Sequence, residues 1–366
     1  MRVFFCAGEA SGDAYAAALA LRLGALAPGI ELEGVGSRRS EEAGIRLVSD
    51  SSSYGVVSIT QSARAFFRIY AGLARARKAM LGGPPGLFIP IDFGFANVRM
   101  ARFARGHGWK VLYFMPPGSW RKDRQGRDLP SVTDAVVTPF PWSATMLSQM
   151  GANAHFFGHP LRQLVLEGSR AGAVKGQTIA VLPGSRKHEL RENLPAIAGA
   201  MERFPERVCE FALAPNLSAE GIRAAWKQMA RSREGDLFFS DDRYGVMQRA
   251  EAGVICSGTA TLEAVLCDCP MVVIYRVSAL MKLEGELLRM RPKFAALPNI
   301  LLDRRAVPEL IQETCTPEGI ARELAEVLAG PGAAEQRKAF AEIHEMLGPA
   351  DALDRTAELA ASMVPR

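Results

Sequence analysis

No stretch of this 366-residue chain approaches the roughly 20 consecutive apolar residues that a membrane-spanning helix needs. The amino terminus, MRVFFCAGEASGD, reaches Glu9 before any apolar segment of signal-peptide length, so it is expected to form a first strand of a cytoplasmic protein. Cysteines are few and scattered through apolar segments. Cys267-Asp268-Cys269 has no second Cys or His pair, which argues against zinc and for reduced, buried thiols. No D-x-D sequence occurs, so no adjacent carboxylate pair presents itself to a metal–nucleotide complex, and no metal or cofactor is expected. Acid is missing where base is abundant: residues 51–122 hold one carboxylate, Asp92, against eleven Lys or Arg. That imbalance points to an anionic partner, whether phosphate, an anionic membrane face or nucleic acid.

What is present is an alternation of strands and helices. Apolar runs at Val3–Ala7, Leu87–Ile91, Val111–Phe114, Ala135–Val137, Ile179–Leu182, Glu210–Leu213, Gly253–Cys256 and Met271–Tyr275 read as strands between helical stretches. The pattern predicts an α/β protein with two Rossmann-like domains, parallel sheets and a central cleft between them. The polar segment 167–177 divides the chain into residues 1–167 and 168–345, and residues 346–366 form a helical tail. Helices there can pack across either domain or swap between subunits, so a homodimer is one expected assembly.

Residues 253–276, GVICSGTATLEAVLCDCPMVVIYR, carry the strongest signal. A strand meets a small-residue turn, Ser257-Gly258-Thr259-Ala260-Thr261, then a helix with Glu263 in its first turn, then a second strand. Open backbone N–H groups and hydroxyls at a helix start suit a phosphate. Glu263 would repel that phosphate but can accept from ribose hydroxyls. The same turn serves equally as a well-capped core helix start.

Other turns are read the same way. Gly8-Glu9-Ala10-Ser11-Gly12-Asp13 lacks the G-x-G-x-x-G spacing, and Glu9 and Asp13 disfavour pyrophosphate, so a hydroxyl-rich ligand or a plain helix cap fits it. Asp92 stands at the carboxyl end of a strand, as a candidate base or a lone surface Asp. Leu182-Pro183-Gly184-Ser185-Arg186 opens the backbone and offers a guanidinium to a phosphate, or is a turn with a surface Arg. Arg276 and Asn299 occupy similar strand or loop ends, and His159 in Gly158-His159-Pro160 is as readily structural as functional. The segment Phe66–Lys78 is predicted as an amphipathic helix. Phe66, Ile69, Tyr70 and Leu73 share one face and Arg64, Arg68 and Arg75 the other, so it suits core packing or a membrane interface. Phe67 counts with the interface set.

Taken in order, AGEASGD at 7–13, FFGHPL at 156–161, LPGSR at 182–186, SGTATLEA at 257–264, PMVVIYR at 270–276, LPNIL at 297–301 and VPELIQE at 307–313 resemble the lipid-A-disaccharide synthase family. The resemblance implies an inverting, metal-independent glycosyltransferase of GT-B architecture, peripheral to the cytoplasmic face of the inner membrane. It would move a 2,3-diacylglucosamine from its UDP conjugate to the 6-hydroxyl of 2,3-diacylglucosamine 1-phosphate, with no nucleic acid involved. It implies Asp92 as base with Glu9 nearby, and Ser11, Gly12, Asp13, Asn97 and His159 lining the acceptor side. Gly184, Ser185, Arg186, Ser257, Gly258, Thr259, Thr261, Glu263, Arg276 and Asn299 would surround the nucleotide. Two departures stand out. The family's D-x-P-D-F-N reads Asp92-Phe93-Gly94-Phe95-Ala96-Asn97 here, and its S-P-Q-V-W-A-W-R survives only as Met115-Pro116-Pro117-Gly118-Ser119-Trp120-Arg121. Both lie on the acceptor side, which leaves open another acceptor, a UDP-sugar epimerase, or a UDP-sugar-binding protein without turnover.

Overall fold

The computed structural model describes residues 1–52, 54, 59–116, 124–169, 176–213, 218–229, 237–277 and 293–365. The chain forms two compact units, Met1–Gln163 with Met346–Arg366, and Leu164–Glu345.

In the first unit the elements run β1 (Arg2–Ala7), α1 (Ala10–Leu26), β2 (Glu31–Gly36), α2 (Arg38–Glu42), β3 (Arg46–Asp50), α3 (Ile59–Leu81), β4 (Leu87–Ile91), α4 (Gly94–Gly106), β5 (Lys110–Phe114), α5 (Leu129–Val132), β6 (Ala135–Val137), α6 (Pro141–Gln149) and β7 (Ala154–His155). The strands form one parallel sheet in the order β3-β2-β1-β4-β5-β6-β7. The order turns back between β1 and β4, where Ala7 pairs Ile91, so the turns at Gly8 and Asp92 leave the sheet side by side. Such a reversal opens a crevice at the carboxyl ends of the strands. The central strands are apolar on both faces because helices cover both. Phe4, Cys6, Phe88, Val111 and Tyr113 are all fully buried, each Phe worth about 1.5–3 kcal/mol of burial.

The second unit repeats the plan. Helix α7 (Pro160–Gly168) carries the junction, followed by β8 (Thr178–Leu182), α8 (Lys187–Met201), β9 (Val208–Ala212), α9 (Ala219–Met229), β10 (Leu237–Ser240), α10 (Arg243–Arg249), β11 (Ala252–Cys256), α11 (Thr259–Leu266), β12 (Met271–Tyr275), α12 (Leu297–Leu302), β13 (Glu309–Ile311), α13 (Pro317–Ala329) and α14 (Gly332–Met346). Its parallel sheet has the order β10-β9-β8-β11-β12-β13, with the reversal between β8 and β11. The turns after Leu182 and Cys256 are thus neighbours at the corresponding position.

The tail belongs to the first unit. Helix α15 (Ala352–Met363) lies on α1, buries Leu353, Ala357 and Ala360, and is tied down by Asp354, which accepts from Arg22 Nε (2.6 Å) and Gln163 Nε2 (2.7 Å). The junction falls at Gln163–Leu164, inside α7 and ahead of the polar segment expected to mark it. Residues 170–175 of that segment lie outside the described residues.

Candidate functional site

In the first unit, β1 ends at Ala7 and Gly8 passes directly beneath the Phe93 ring. A Cβ on Gly8 would lie 2.1 Å from that ring, so glycine is required. Glu9 then caps α1 in extended conformation (φ −135°) with its carboxylate exposed. Across the reversal, β4 ends and three consecutive residues take left-handed backbone: Asp92 (φ 46°), Phe93 (φ 58°) and Gly94 (φ 47°). Such conformations cost about 1 kcal/mol or more for non-glycine residues and need outside support. The support is visible. Asn97 Nδ2 donates to the carbonyls of Cys6 (3.0 Å), Ile91 (3.1 Å) and Asp92 (3.0 Å), and the Tyr113 hydroxyl donates to the Asp92 carbonyl (2.8 Å). Gly94 stands where the family pattern has proline, whose ring fixes φ near −65°, so a prolyl chain could not follow this path.

Burial, and secondarily the Glu9 carboxylate, push the Asp92 carboxyl up to about 6. A carboxylate poised there is ionised at neutral pH and basic enough to take a proton from a hydroxyl. The Glu9 carboxylate lies close enough to Asp92 to add to that rise.

It gives other tasks to three residues expected beside them. Asp13 is 2% exposed and accepts from Ser37 N and Oγ (both 2.6 Å), Arg39 N (3.2 Å) and Ser40 Oγ (2.5 Å), capping the start of α2. Its carboxylate is committed to that loop. Asn97 faces the backbone, as above. His159 is buried: its backbone N–H donates to the Leu347 carbonyl (2.7 Å), its ring Nδ1 accepts from Leu161 N (3.2 Å), and burial pushes its pKa down to about 3. It is a neutral brace between the FFGHP turn and the tail. Ser11 is half-buried in the first turn of α1, and Gly12 packs that helix against Ala7 and Ile91.

In the second unit, the LPGSR turn is already occupied by a carboxylate. Glu189, in the first turn of α8, reaches back to accept from Ser185 N (2.7 Å) and Arg186 N (3.1 Å), and pairs with the Arg186 guanidinium (2.9 Å). Gly184 (φ 123°) makes room, since a Cβ there would lie 2.5 Å from that of Glu189. The backbone N–H groups expected to meet a phosphate are therefore satisfied internally, and the guanidinium, partly exposed, is the group left to face an anion. Glu189 follows Arg186 by three residues, the spacing of a capping box, which is the signal that would have revealed it.

At the adjacent strand end, Gly258 (φ 134°) is exposed and a Cβ on it would meet nothing within 4 Å, so the start of α11 opens to space. The Thr259 side chain is half-buried there. The hydroxyls beside it differ from expectation. Ser257 Oγ donates to the Ala295 carbonyl (2.8 Å), while Thr261 Oγ1 donates to the Gly258 carbonyl (2.8 Å) and accepts from Leu297 N (3.2 Å). They hold the turn against the segment before α12. Asn299, inside α12, holds the stretch that follows the helix: Nδ2 donates to Val307 O and Glu309 Oε1, and Oδ1 accepts from Ala306 N and Val307 N. Its amide is fully used and fully buried, so it braces the chain around α12 and does not present itself to a ligand. Glu263 is 5% exposed and paired with Arg243 of α10.

Asn193 was not singled out by the sequence, having no motif around it. It is buried among three strand ends, donating to the Pro183 carbonyl (2.9 Å) and accepting from Arg276 N (3.0 Å), which fixes the β8 and β12 termini together. Arg276 also donates through Nη1 to the Cys315 carbonyl (3.0 Å).

Helix α3 is longer than expected, and its faces divide differently. Ile69 and Leu73 pack with Ala76 and Met80 against the core, while Phe67 (72% exposed), Tyr70 (63%) and Arg68 lie outside. Tyr70 thus leaves the face it was expected to share with Ile69 and Leu73, because the inward stripe follows 69, 72–73, 76 and 80. The side chains of Arg64, Phe66 and Phe95, and all of Trp120 and Arg121, lie outside the described residues. Among the described residues no helix is long and apolar enough to cross a membrane.

Comparison with known proteins agrees with this geometry. The family model of lipid-A-disaccharide synthetase matches residues 3–361. The lipid-A-disaccharide synthase of Syntrophus aciditrophicus is 33% identical over 383 residues, spanning 100% of this chain and 98% of that one. That of Geobacter sulfurreducens is 32% identical over 375 residues, spanning 99% and 97%. Among solved structures, the calicheamicin glycosyltransferase aligns with a TM-score of 0.63 at 14% identity, covering 100% of this chain and 99% of its own. The UDP-GlcNAc 2-epimerase of Methanocaldococcus jannaschii, in complex with UDP-GlcNAc and UDP, aligns at 0.59 and 11% identity, covering 99% and 100%. At those identities the structures share the fold alone, that of the GT-B enzymes.

Proposed function

The chain belongs to the lipid-A-disaccharide synthase family, a family of hexosyltransferases that use a UDP-sugar donor, and on that premise we propose how its two units divide the reaction. The second unit holds the donor's diphosphate between the Arg186 guanidinium and the Thr259 and Ala260 N–H groups that open α11. The first unit supplies the base. The acceptor's 6-hydroxyl oxygen attacks C1 of the donor sugar, its proton passes to the Asp92 carboxylate, and the bond from C1 to the UDP oxygen breaks. Displacement from the opposite face inverts C1, and the charge on leaving UDP is met by Arg186 and the helix start. The observation that carries this reading is Asp92 itself: a carboxylate raised to about 6, on a braced left-handed turn at the sheet's reversal point.

The acceptor is proposed to be 2,3-diacylglucosamine 1-phosphate, with a UDP-linked 2,3-diacylglucosamine as donor. Its acyl chains, and the membrane that delivers them, fit the outward aromatics Phe67 and Tyr70 of α3 and the basic residues around them. We place the protein peripherally on an anionic membrane face, and assembly as a homodimer is compatible with this arrangement. The test is mass spectrometry of the purified protein with both lipid substrates. Disaccharide 1-phosphate and UDP in equal amounts are expected; UDP release that needs no acceptor, or no disaccharide at high enzyme concentration, overturns the reading.

A further inference from the structure

The turn that carries Asp92 is braced from α3 through one tyrosine. Tyr54 is buried, and its ring stacks on Phe93 with centroids 5.9 Å apart and planes at 16°. Phe93 is the middle residue of the left-handed run and the lid over Gly8, so the stack holds both turns that meet at the sheet's reversal. The far end of Tyr54 is anchored as well. Its hydroxyl hydrogen-bonds Ser49 Oγ of β3 (2.8 Å), and Arg75 Nη2 of α3 donates to the same Ser49 oxygen (2.9 Å). Gly72 of α3 lies flat against the hydroxyl, where a Cβ would come within 1.6 Å of it. Helix, tyrosine, phenylalanine and catalytic turn are therefore one packed series of contacts.

We propose that Tyr54 is a positioning residue for the reaction, transmitting the placement of α3 to the Asp92 turn through Phe93. The inference rests on Asp92 serving as the base. A strained turn keeps its conformation only where its surroundings over-determine it, and the Phe93 ring is the part of this turn that Tyr54 grips. Losing that grip should misdirect the carboxylate without touching the donor pocket in the other unit. A displacement of about 1 Å at a reacting group can cost on the order of 100-fold in rate.

The test uses a clash and its relief. Gly72→Ala sets a methyl into the Tyr54 hydroxyl, while alanine itself favours the helix, so the helix should not weaken. The expected result is a kcat lower by about 10- to 100-fold with the donor KM within about twofold of wild type. Tyr54→Phe, which keeps the stack and removes the oxygen, should stay within about threefold of wild type. Combined with Gly72→Ala it should recover part of the lost kcat, since the alanine methyl then still meets Ser49 Oγ (2.8 Å) and the ring's Cζ (2.9 Å). Wild-type kcat in Gly72→Ala, or a deficit that Tyr54→Phe leaves unrelieved, overturns the proposal. Should Gly72→Ala fail to fold, Tyr54→Leu, which removes the stack, must show the same split of low kcat and unchanged donor KM. Asp92→Asn, run beside these, separates the two readings. If it retains turnover the base assignment fails; if it is inactive while the Gly72 and Tyr54 variants behave as wild type, the positioning role alone fails.

Discussion

The two units share a fold and a reversal point, yet treat the turns there in opposite ways. In the second unit the turns after β8 and β11 use glycines for their left-handed positions, and internal carboxylates and amides satisfy the loops: Glu189 caps Ser185 and Arg186, Glu309 holds the segment before α12, and Asn299 holds the loop after it. In the first unit the corresponding turn after β4 forces Asp92 and Phe93 themselves into left-handed backbone and leaves the half-buried Asp92 carboxyl near Glu9 with its pKa raised. A phosphate site needs fixed charge and room, which the partly exposed Arg186 guanidinium and the open turn at Gly258 offer. A base needs an ill-solvated carboxylate, which must be held there against its own preference. On the proposed reading, the difference separates binding from chemistry.

The sharpest way to break that division is Asp92→Asn. Turnover should fall by about 10²- to 10⁴-fold in a disaccharide assay, while UDP affinity by calorimetry stays at the wild-type value. The same substitution should stabilise the fold. Because the native pKa lies above the unfolded one, ionisation of Asp92 costs stability as pH rises through about 6; at pH 8 the asparagine variant should be more stable by about 1–3 kcal/mol in urea unfolding. A loss of stability would mean the carboxylate is structural. On the other side, Arg186→Ala should weaken UDP binding by about 10-fold, the order of one charge-assisted hydrogen bond, and the equilibrium constant would show it directly. Replacing Phe67 and Tyr70 together by Ser should release the protein from anionic phosphatidylglycerol vesicles in a sedimentation assay, while activity on a detergent-dispersed acceptor persists. The smallest effect concerns His159. Its native pKa is depressed to about 3, so its contribution is present above the unfolded value near 6.5 and is lost as pH falls below it. Between about pH 7.5 and 5 the fold should lose about 2 kcal/mol through this residue, a slope that His159→Asn should flatten.

Much of this was legible in the chain. The central strands announced themselves because helices cover both faces and their residues are continuously apolar, as in Leu87–Ile91 and Met271–Tyr275. Strands β2, β3 and β13 did not, since Glu31–Gly36, Arg46–Asp50 and Glu309–Ile311 mix charges into lateral positions. Glu9, Asp92 and Arg186 could be picked out by their places at strand ends. What the sequence could not show is which side chains are already committed: Asp13 to Ser37 and Ser40, Asn299 to Val307, Glu263 to Arg243. Asp13 and Glu263 find partners twenty or more residues away, brought close only by the folded sheet, and Asn299 finds its own once the loop after α12 turns back. The faces of α3 were misread for a related reason, because an inward stripe can be drawn through Ile69 and Leu73 with or without Tyr70 until the core is in place.

The most direct test of the account is the pH dependence of kcat/KM with both lipid substrates, from about pH 5 to about pH 8. It should rise along a single limb with its midpoint near 6, as Asp92 loses its proton, and Glu9→Gln should move that midpoint down. A profile flat across the range, or a midpoint near the ordinary carboxylate value, would contradict Asp92 as the base.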